Sequence, residues 1–126
     1  MTSILIDTSC FIEFLRGEDS ETVPALILAG KVILSSVVKL ELLAEVRKSE
    51  LLTLDELLSG LAQLEDFPPV DLTQKLLTRA RGRGSFGGIS DLMILSDCAR
   101  TGSHLLSSDT KMVKLAQELK IKLWND

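Results

Sequence analysis

The stretch Thr2-Ser3-Ile4-Leu5-Ile6-Asp7-Thr8-Ser9, residues 2–9, sets a short apolar, partly β-branched run directly against an acid and two hydroxyls. Such a run reads as a buried strand over residues 2–6 that passes without a loop into a helix over residues 8–16, which Gly17 stops. The same unit returns near the other end of the chain. There, residues 103–107 read as a strand, Asp109 follows Leu105-Leu106-Ser107-Ser108, and residues 110–119 form a helix.

Between these two units strands and helices keep alternating. Residues 20–29 suit a helix that tolerates Pro24 only in its first turn, and Gly30 separates it from a short strand at 31–34. Ser35 and Ser36 suit the N-cap of a helix over 37–48. A second helix over 53–64 is strongly amphipathic through Leu54, Leu57, Leu58, Leu61 and Leu64, and the two could form a hairpin. Pro68-Pro69 ends that region, and Val70 suits a short third strand. Helices follow at 72–81 and 90–101, separated by the glycine-rich loop 82–88, and a closing strand is expected at 121–124.

This rhythm predicts an α/β domain of three layers, α/β/α, around a central, mainly parallel sheet of about four to five short strands. In such sheets ligands bind beyond the carboxyl ends of the strands, where Asp7 and Asp109 fall. A length of 126 residues fits one domain spanning residues 1–126, large enough for a core without disulfides.

Composition narrows the function. Hydrophobic residues reach 45% but aromatics only 4%, so the core must be aliphatic. Cys10 and Cys98 show no CxxC or Cys/His spacing, which argues against zinc and suits two small core residues in a reducing compartment. Asp7 and Glu13 interrupt what would be a signal sequence, and no apolar run is long enough to span a bilayer, so a soluble cytoplasmic protein is expected. A net charge of −4 is unlike a general nucleic-acid binder, so any such contact must rest on local patches and metal. The one histidine, His104, lies inside an expected strand and has no partner for general-base catalysis. GxxxxGK[ST] does not occur, which removes P-loop chemistry, and Gly82-Arg83-Gly84-Ser85-Phe86-Gly87 has GxGxxG spacing but follows an expected helix rather than a strand, so it lacks the setting of a dinucleotide cradle.

Four acids interrupt apolar segments: Asp7, Glu41, Asp91 and Asp109. Converging carboxylates repel one another and need a cation, and hard divalent ions such as Mg²⁺ or Mn²⁺ prefer oxygen ligands, so a metal-dependent phosphodiesterase is the first expectation. Each acid also has a plain structural use. Asp7 and Asp109 can cap the helices that follow them, and Glu41 shares a helical face with Glu45 and Lys48 in what could be an exposed charge row. Asp91 falls in the apolar arc of its helix with Ile94, Leu95 and Cys98, whereas Asp97 falls with Ser96 and Arg100 on the arc assigned to solvent.

These residues resemble the PIN-domain ribonucleases, and the chain's length is closest to the VapC-type toxins of prokaryotic toxin-antitoxin systems. The resemblance rests on Ile4-Leu5-Ile6-Asp7-Thr8-Ser9, Ser36-Val37-Val38-Lys39-Leu40-Glu41-Leu42, Asp91-Leu92-Met93-Ile94 and Leu105-Leu106-Ser107-Ser108-Asp109. It favours a site role for Glu41 over the exposed row. Ser107 stands where the family often has Thr, Met112 where Phe often follows, and Asp97 where an uncharged residue is usual.

The resemblance implies that Asp7, Asp91 and Asp109, with Glu41 direct or through water, hold one or two Mg²⁺ or Mn²⁺ ions for RNA hydrolysis, with Thr8, Ser9 and Ser107 orienting water. It also implies a homodimer and a cognate antitoxin that lays an apolar helix into a groove, for which the leucines of 54–64 are one candidate lining and core packing the alternative. Arg79, Arg81 and Arg83, beside the glycine-rich loop, are candidates for RNA phosphates, or simply a solvated helix end. Two rivals stand beside the nuclease: a PIN-like scaffold without turnover, and an aspartate phosphotransferase using Asp7. The latter lacks the second Asp two residues on, where Ser9 stands.

Overall fold

A computed structural model describes residues 2–19, 21–84 and 86–125. The elements run β1 (Ile4–Ile6), α1 (Thr8–Leu15), α2 (Thr22–Leu28), β2 (Val32–Leu34), α3 (Ser36–Glu45), a 3₁₀ turn (Lys48–Glu50), α4 (Leu51–Ser59), β3 (Ala62–Gln63), α5 (Val70–Ala80), α6 (Ile89–Thr101), β4 (His104–Leu106) and α7 (Thr110–Glu118). The expected start of the second helix at Ser20, and Ser85 of the glycine-rich loop, lie outside the described residues.

The four strands form one all-parallel sheet in the order β3-β2-β1-β4. The chain winds outward from β1 through β2 to β3, then crosses to the other side of β1 for β4. This reversal between β1 and β4 is the switch point at which such sheets open a crevice. The core is aliphatic, as composition requires, with Leu5, Phe11, Leu42, Leu92, Ile94, Leu95 and Leu115 fully buried. No helix among the described residues is long and apolar enough to cross a membrane.

Three element expectations need correction. The third strand is not at Val70, which opens α5 behind the N-cap Pro69 and is 78% exposed. A proline fixes its own φ and needs no amide partner, so Pro69 suits a helix start better than a sheet interior. The strand lies instead at Ala62–Gln63, paired with Ile33 and Leu34, because α4 stops at Gly60 and Leu64 donates its amide to the Leu34 carbonyl at 2.9 Å. Leu61 and Leu64 thus fit a helical period without being helical. Leu54 and Leu58 are buried in the core, with Leu57 and Leu61 packed against it, so most of this leucine stripe packs inward.

The expected helix over 37–48 ends at Glu45, where Val46 turns extended (φ −67°, ψ 150°). Lys48 therefore leaves the helix that carries Glu41 and Glu45, and the charge row that was the alternative reading of Glu41 is broken. The closing strand at 121–124 is reduced to a single parallel bridge, Leu123 against Leu105.

Asp97 is the clearest departure. Expected in solvent, it is fully buried: its Oδ2 accepts from Ser35 Oγ at 2.7 Å and its Oδ1 lies 2.7 Å from Arg100 Nη2. The wheel misleads because α6 is covered around much of its circumference, with Leu92, Ile94, Leu95, Ser96, Asp97 and Cys98 all buried. A polar residue on such a helix meets protein rather than water and must find partners there.

Candidate active site at the carboxyl end of the sheet

Asp7 is placed by β1 and by the start of α1. Its amide donates to the Leu106 carbonyl of β4 at 2.8 Å, and its Oδ1 caps α1 by accepting from the Thr8 amide at 2.8 Å. Oδ2 accepts from Ser107 Oγ at 2.7 Å and Ser9 Oγ at 3.3 Å. The carboxylate is 6% exposed. Burial pushes its pKa up, the bonds from Ser107 and Thr8 oppose that rise, and the charge of Glu41 adds to it.

Asp109 stands on the neighbouring crossover. Its amide donates to Ser107 Oγ at 3.1 Å, and its Oδ1 caps α7 by accepting from the amides of Lys111 at 2.9 Å and Met112 at 3.4 Å. The capping role and the site role are therefore compatible for both aspartates. One oxygen holds the helix, and the carboxylate still faces the crevice.

Glu41, on α3, receives a 2.7 Å bond from Thr8 Oγ1 through its Oε1. Asp91 sits in the first turn of α6, and among the described residues no hydrogen bond reaches its carboxylate. Its pKa is pushed up to about 6, first by burial and then by the charges of Asp7, Asp109 and Glu41. Such repulsion requires these acids to be neighbours.

All four acids line one cavity of about 350 Å³ together with Thr8 and Ser9. Ser107 acts from behind, through Asp7 and Asp109. Two further acids on the wall, Glu13 and Glu45, were not anticipated as site residues. The signal was present, since each lies one helical turn beyond a site residue, Ser9 and Glu41, and so shares its face.

Arg79, Arg81 and Arg83 are exposed and do not line this cavity. Arg79 donates to the Leu119 carbonyl at 2.9 Å, and Arg83 donates to the Arg79 carbonyl at 3.1 Å and lies 3.9 Å from Glu118. Cys98 is buried, and burial pushes its thiol up to about 12, in keeping with a core role.

The donor set fits a hard divalent cation in kind, being carboxylates and hydroxyls only. Asp91 fits it best, because a neighbouring cation would offset both the burial and the repulsion that raise its pKa. Among the described residues no three His, Cys, Asp or Glu side chains are grouped closely enough to hold a single ion.

Together the parallel sheet, the switch point and the acid-lined crevice define an α/β/α domain with a cavity beyond the carboxyl ends of β1 and β4. The PIN domain family model matches residues 4–118, and the chain belongs to that family, whose members are in general nucleases. No curated protein matches at the sequence level. Among solved structures, VapBC2 from Rickettsia felis bound to a DNA fragment from its promoter is similar, with a TM-score of 0.80, 20% identity and 98% of each chain covered. DNA-bound VapBC from Salmonella typhimurium gives 0.77, 18% identity and 98% of each chain. FitAcB from Neisseria gonorrhoeae gives 0.62 and 18%, covering 97% of this chain and 96% of that one. At these identities the likeness speaks for the fold.

Proposed function

We propose that this chain is a divalent-metal-dependent endoribonuclease of VapC type, the toxin of a toxin-antitoxin pair. The observation that carries the reading is the meeting of Asp7, Glu41, Asp91 and Asp109, from four separate segments, on one cavity at the switch point. A structural use explains each acid singly. It does not explain why they share a wall at the cost of raising Asp91 to about 6.

In this reading Asp7, Asp91 and Asp109 hold Mg²⁺ or Mn²⁺, with Glu41 direct or through water. When bound, the cation supplies the Lewis acidity that activates water and offsets charge building on the phosphate. Ser107 and Ser9 fix Asp7 by donating to its Oδ2, and those bonds oppose the rise in its pKa that burial causes. Thr8 Oγ1 fixes Glu41 by donating to its Oε1. Arg81, exposed at the end of α5, is offered to RNA phosphates together with the exposed Arg79 and Arg83. A homodimer, a cognate antitoxin and a cytoplasmic setting complete the proposal, and the VapBC complexes among the similar structures support the antitoxin.

The test is RNA cleavage by purified protein with Mn²⁺, Mg²⁺ or EDTA, comparing wild type with Asp7→Asn and Asp91→Asn. Metal-dependent cutting that both variants lose supports the nuclease. Intact RNA in every lane, from folded wild-type protein, returns the domain to a scaffold, and labelling of Asp7 by a phosphodonor would indicate phosphotransfer.

A further inference from the structure

Away from the cavity, one buried polar contact joins the two helices that carry Glu41 and Asp91. Ser35 Oγ donates to Asp97 Oδ2 at 2.7 Å, and neither residue is exposed at all. The same hydroxyl accepts from the amides of Val37 at 3.1 Å and Val38 at 3.4 Å. One oxygen therefore starts α3 and ties it to α6. The second oxygen of Asp97 accepts from Arg100 Nε at 2.8 Å, and Arg100 reaches on to the Asp66 carbonyl at 2.9 Å and carboxylate at 3.2 Å, in the segment after β3.

Packing alone does not call for this arrangement. A buried ion pair is commonly no more stabilising than apolar residues of the same volume, so a carboxylate at position 97 needs another reason to be there. What a short hydrogen bond supplies and apolar contact does not is a fixed register. Leucines of two packed helices still touch after a small slide, whereas a 2.7 Å bond does not survive one.

The spacing says what that register would serve. Glu41 lies six residues beyond Ser35, and Asp91 lies six residues before Asp97. At a rise of about 1.5 Å per residue each acid stands about 9 Å along its helix from the tether. α3 packs on α6, and both acids line the same cavity. The two arms are equal and end together. A slip of one residue would move Glu41 by about 1.5 Å along its axis and turn it by about 100°, away from Thr8 and the cavity.

We infer that Asp97 is a positioning residue: through Ser35 it sets the register of α3 against α6, and so fixes where Glu41 stands relative to Asp91. Its consequence for cation binding rests on the nuclease reading above. The register itself does not.

The experiment uses two readouts on the full chain. In metal-free protein carrying Glu41→Cys and Asp91→Cys, a short dithiol-reactive cross-linker reports how the two positions face each other; the native Cys10 and Cys98 are buried. In the otherwise wild-type chain, calorimetric titration reports Mn²⁺ affinity. Ser35→Gly is the key variant, because glycine is itself a tolerable N-cap and removes the tether while largely sparing the start of α3. Asp97→Ala, which removes the acceptor itself, is the companion. Val23→Ala, a fully buried site on α2, controls for lost stability.

Ser35→Gly and Asp97→Ala are each expected to weaken Mn²⁺ about tenfold, as loss of support behind a ligand usually does, with the double variant little worse than either. Cross-linking yield is expected to fall at least about twofold in both and to hold in Val23→Ala. Unchanged yield in Ser35→Gly, or an equal fall in Val23→Ala, overturns the inference. Wild-type protein that neither binds Mn²⁺ nor cuts RNA would remove the nuclease reading instead, and the cross-linking result would still decide the register.

Discussion

Ser107 and Asp7, a hundred residues apart in sequence, are joined by a 2.7 Å hydrogen bond across the β1–β4 switch point. The bond follows from register: Ile6 pairs with Leu106, so the next residue on each strand emerges side by side where the sheet ends. Removing the hydroxyl leaves a carboxylate that is 6% exposed with only the longer Ser9 contact on that oxygen. Ser107→Ala is expected to cost about 1–2 kcal/mol in urea unfolding at neutral pH, while Ser107→Thr, which keeps the donor, retains most of it. Equal stability of the alanine variant and wild type would contradict this account of how Asp7 is held.

Asp91 has no such donors among the described residues, and its charged form opposes folding. Its folded pKa of about 6 lies above the ordinary 3.8, so the folded state holds that proton more tightly than the unfolded chain does. Stability from this group is therefore intact below about pH 4, falls as the pH rises towards 6, and stays lower above that. The raise would correspond to about 3 kcal/mol, and water around a half-buried side chain reduces it to about 1 kcal/mol. Asp91→Asn is expected to raise the melting temperature of metal-free protein at pH 7.5 and leave it nearly unchanged at pH 4, while abolishing cleavage. Melting curves at the two pH values check it, and a variant less stable than wild type at pH 7.5 would count against the repulsion.

Mn²⁺ is expected to act in the same window. A cation placed among ionised carboxylates stabilises the folded chain in proportion to its occupancy, and protons compete for those oxygens. The rise in melting temperature on adding Mn²⁺ is expected to be large at pH 7.5 and small at pH 5, and to vanish in Asp91→Asn. A Mn²⁺ response independent of pH would place the ion elsewhere on the molecule.

Asp109 allows the cap and the charge to be separated. Asparagine caps a helix about as well as aspartate does, whereas alanine forfeits about 1 kcal/mol. Asp109→Asn is thus expected to unfold like wild type and Asp109→Ala to be weaker by roughly that amount, yet both are expected to lose RNA cleavage. If Asp109→Asn cut RNA at the wild-type rate, the residue would be a cap and nothing more.

What the sequence made readable follows from how local each signal is. The sheet and the positions of Asp7 and Asp109 come from strand-to-helix junctions a few residues long, and the structure places both junctions as expected. Asp91 was legible because an acid on an apolar arc breaks a period. Glu41 was ambiguous on its own helix, since its distinguishing partner, Thr8 Oγ1, lies 33 residues away. Asp97 was misread for the same kind of reason: its partner Ser35 is 62 residues distant, and no wheel drawn on α6 shows that α3 covers it. β3 was missed because two residues carry no period, and Ala62 and Gln63 are both exposed at the sheet edge.

Gly87 offers a last test, on the glycine-rich loop. A Cβ built there would lie 3.1 Å from Asp91 Oδ2, closer than side chains normally approach, and among the described residues beyond its chain neighbours it meets no other heavy atom within 4 Å. The atom in the way ends a rotatable side chain, so the loop can take the methyl group if the carboxylate gives by a few tenths of an ångström. Replacing glycine also restricts the unfolded chain, which favours folding by about 0.4–1 kcal/mol where the backbone allows it. Gly87→Ala is therefore expected to melt no lower than wild type while needing severalfold more Mn²⁺ for half-maximal cleavage, because Asp91 is displaced from its place on the cavity wall. Metal titrations of the two proteins under identical RNA conditions decide it: coincident curves would mean that the loop leaves Asp91 free to adjust, and the glycine at 87 would then have no bearing on the site.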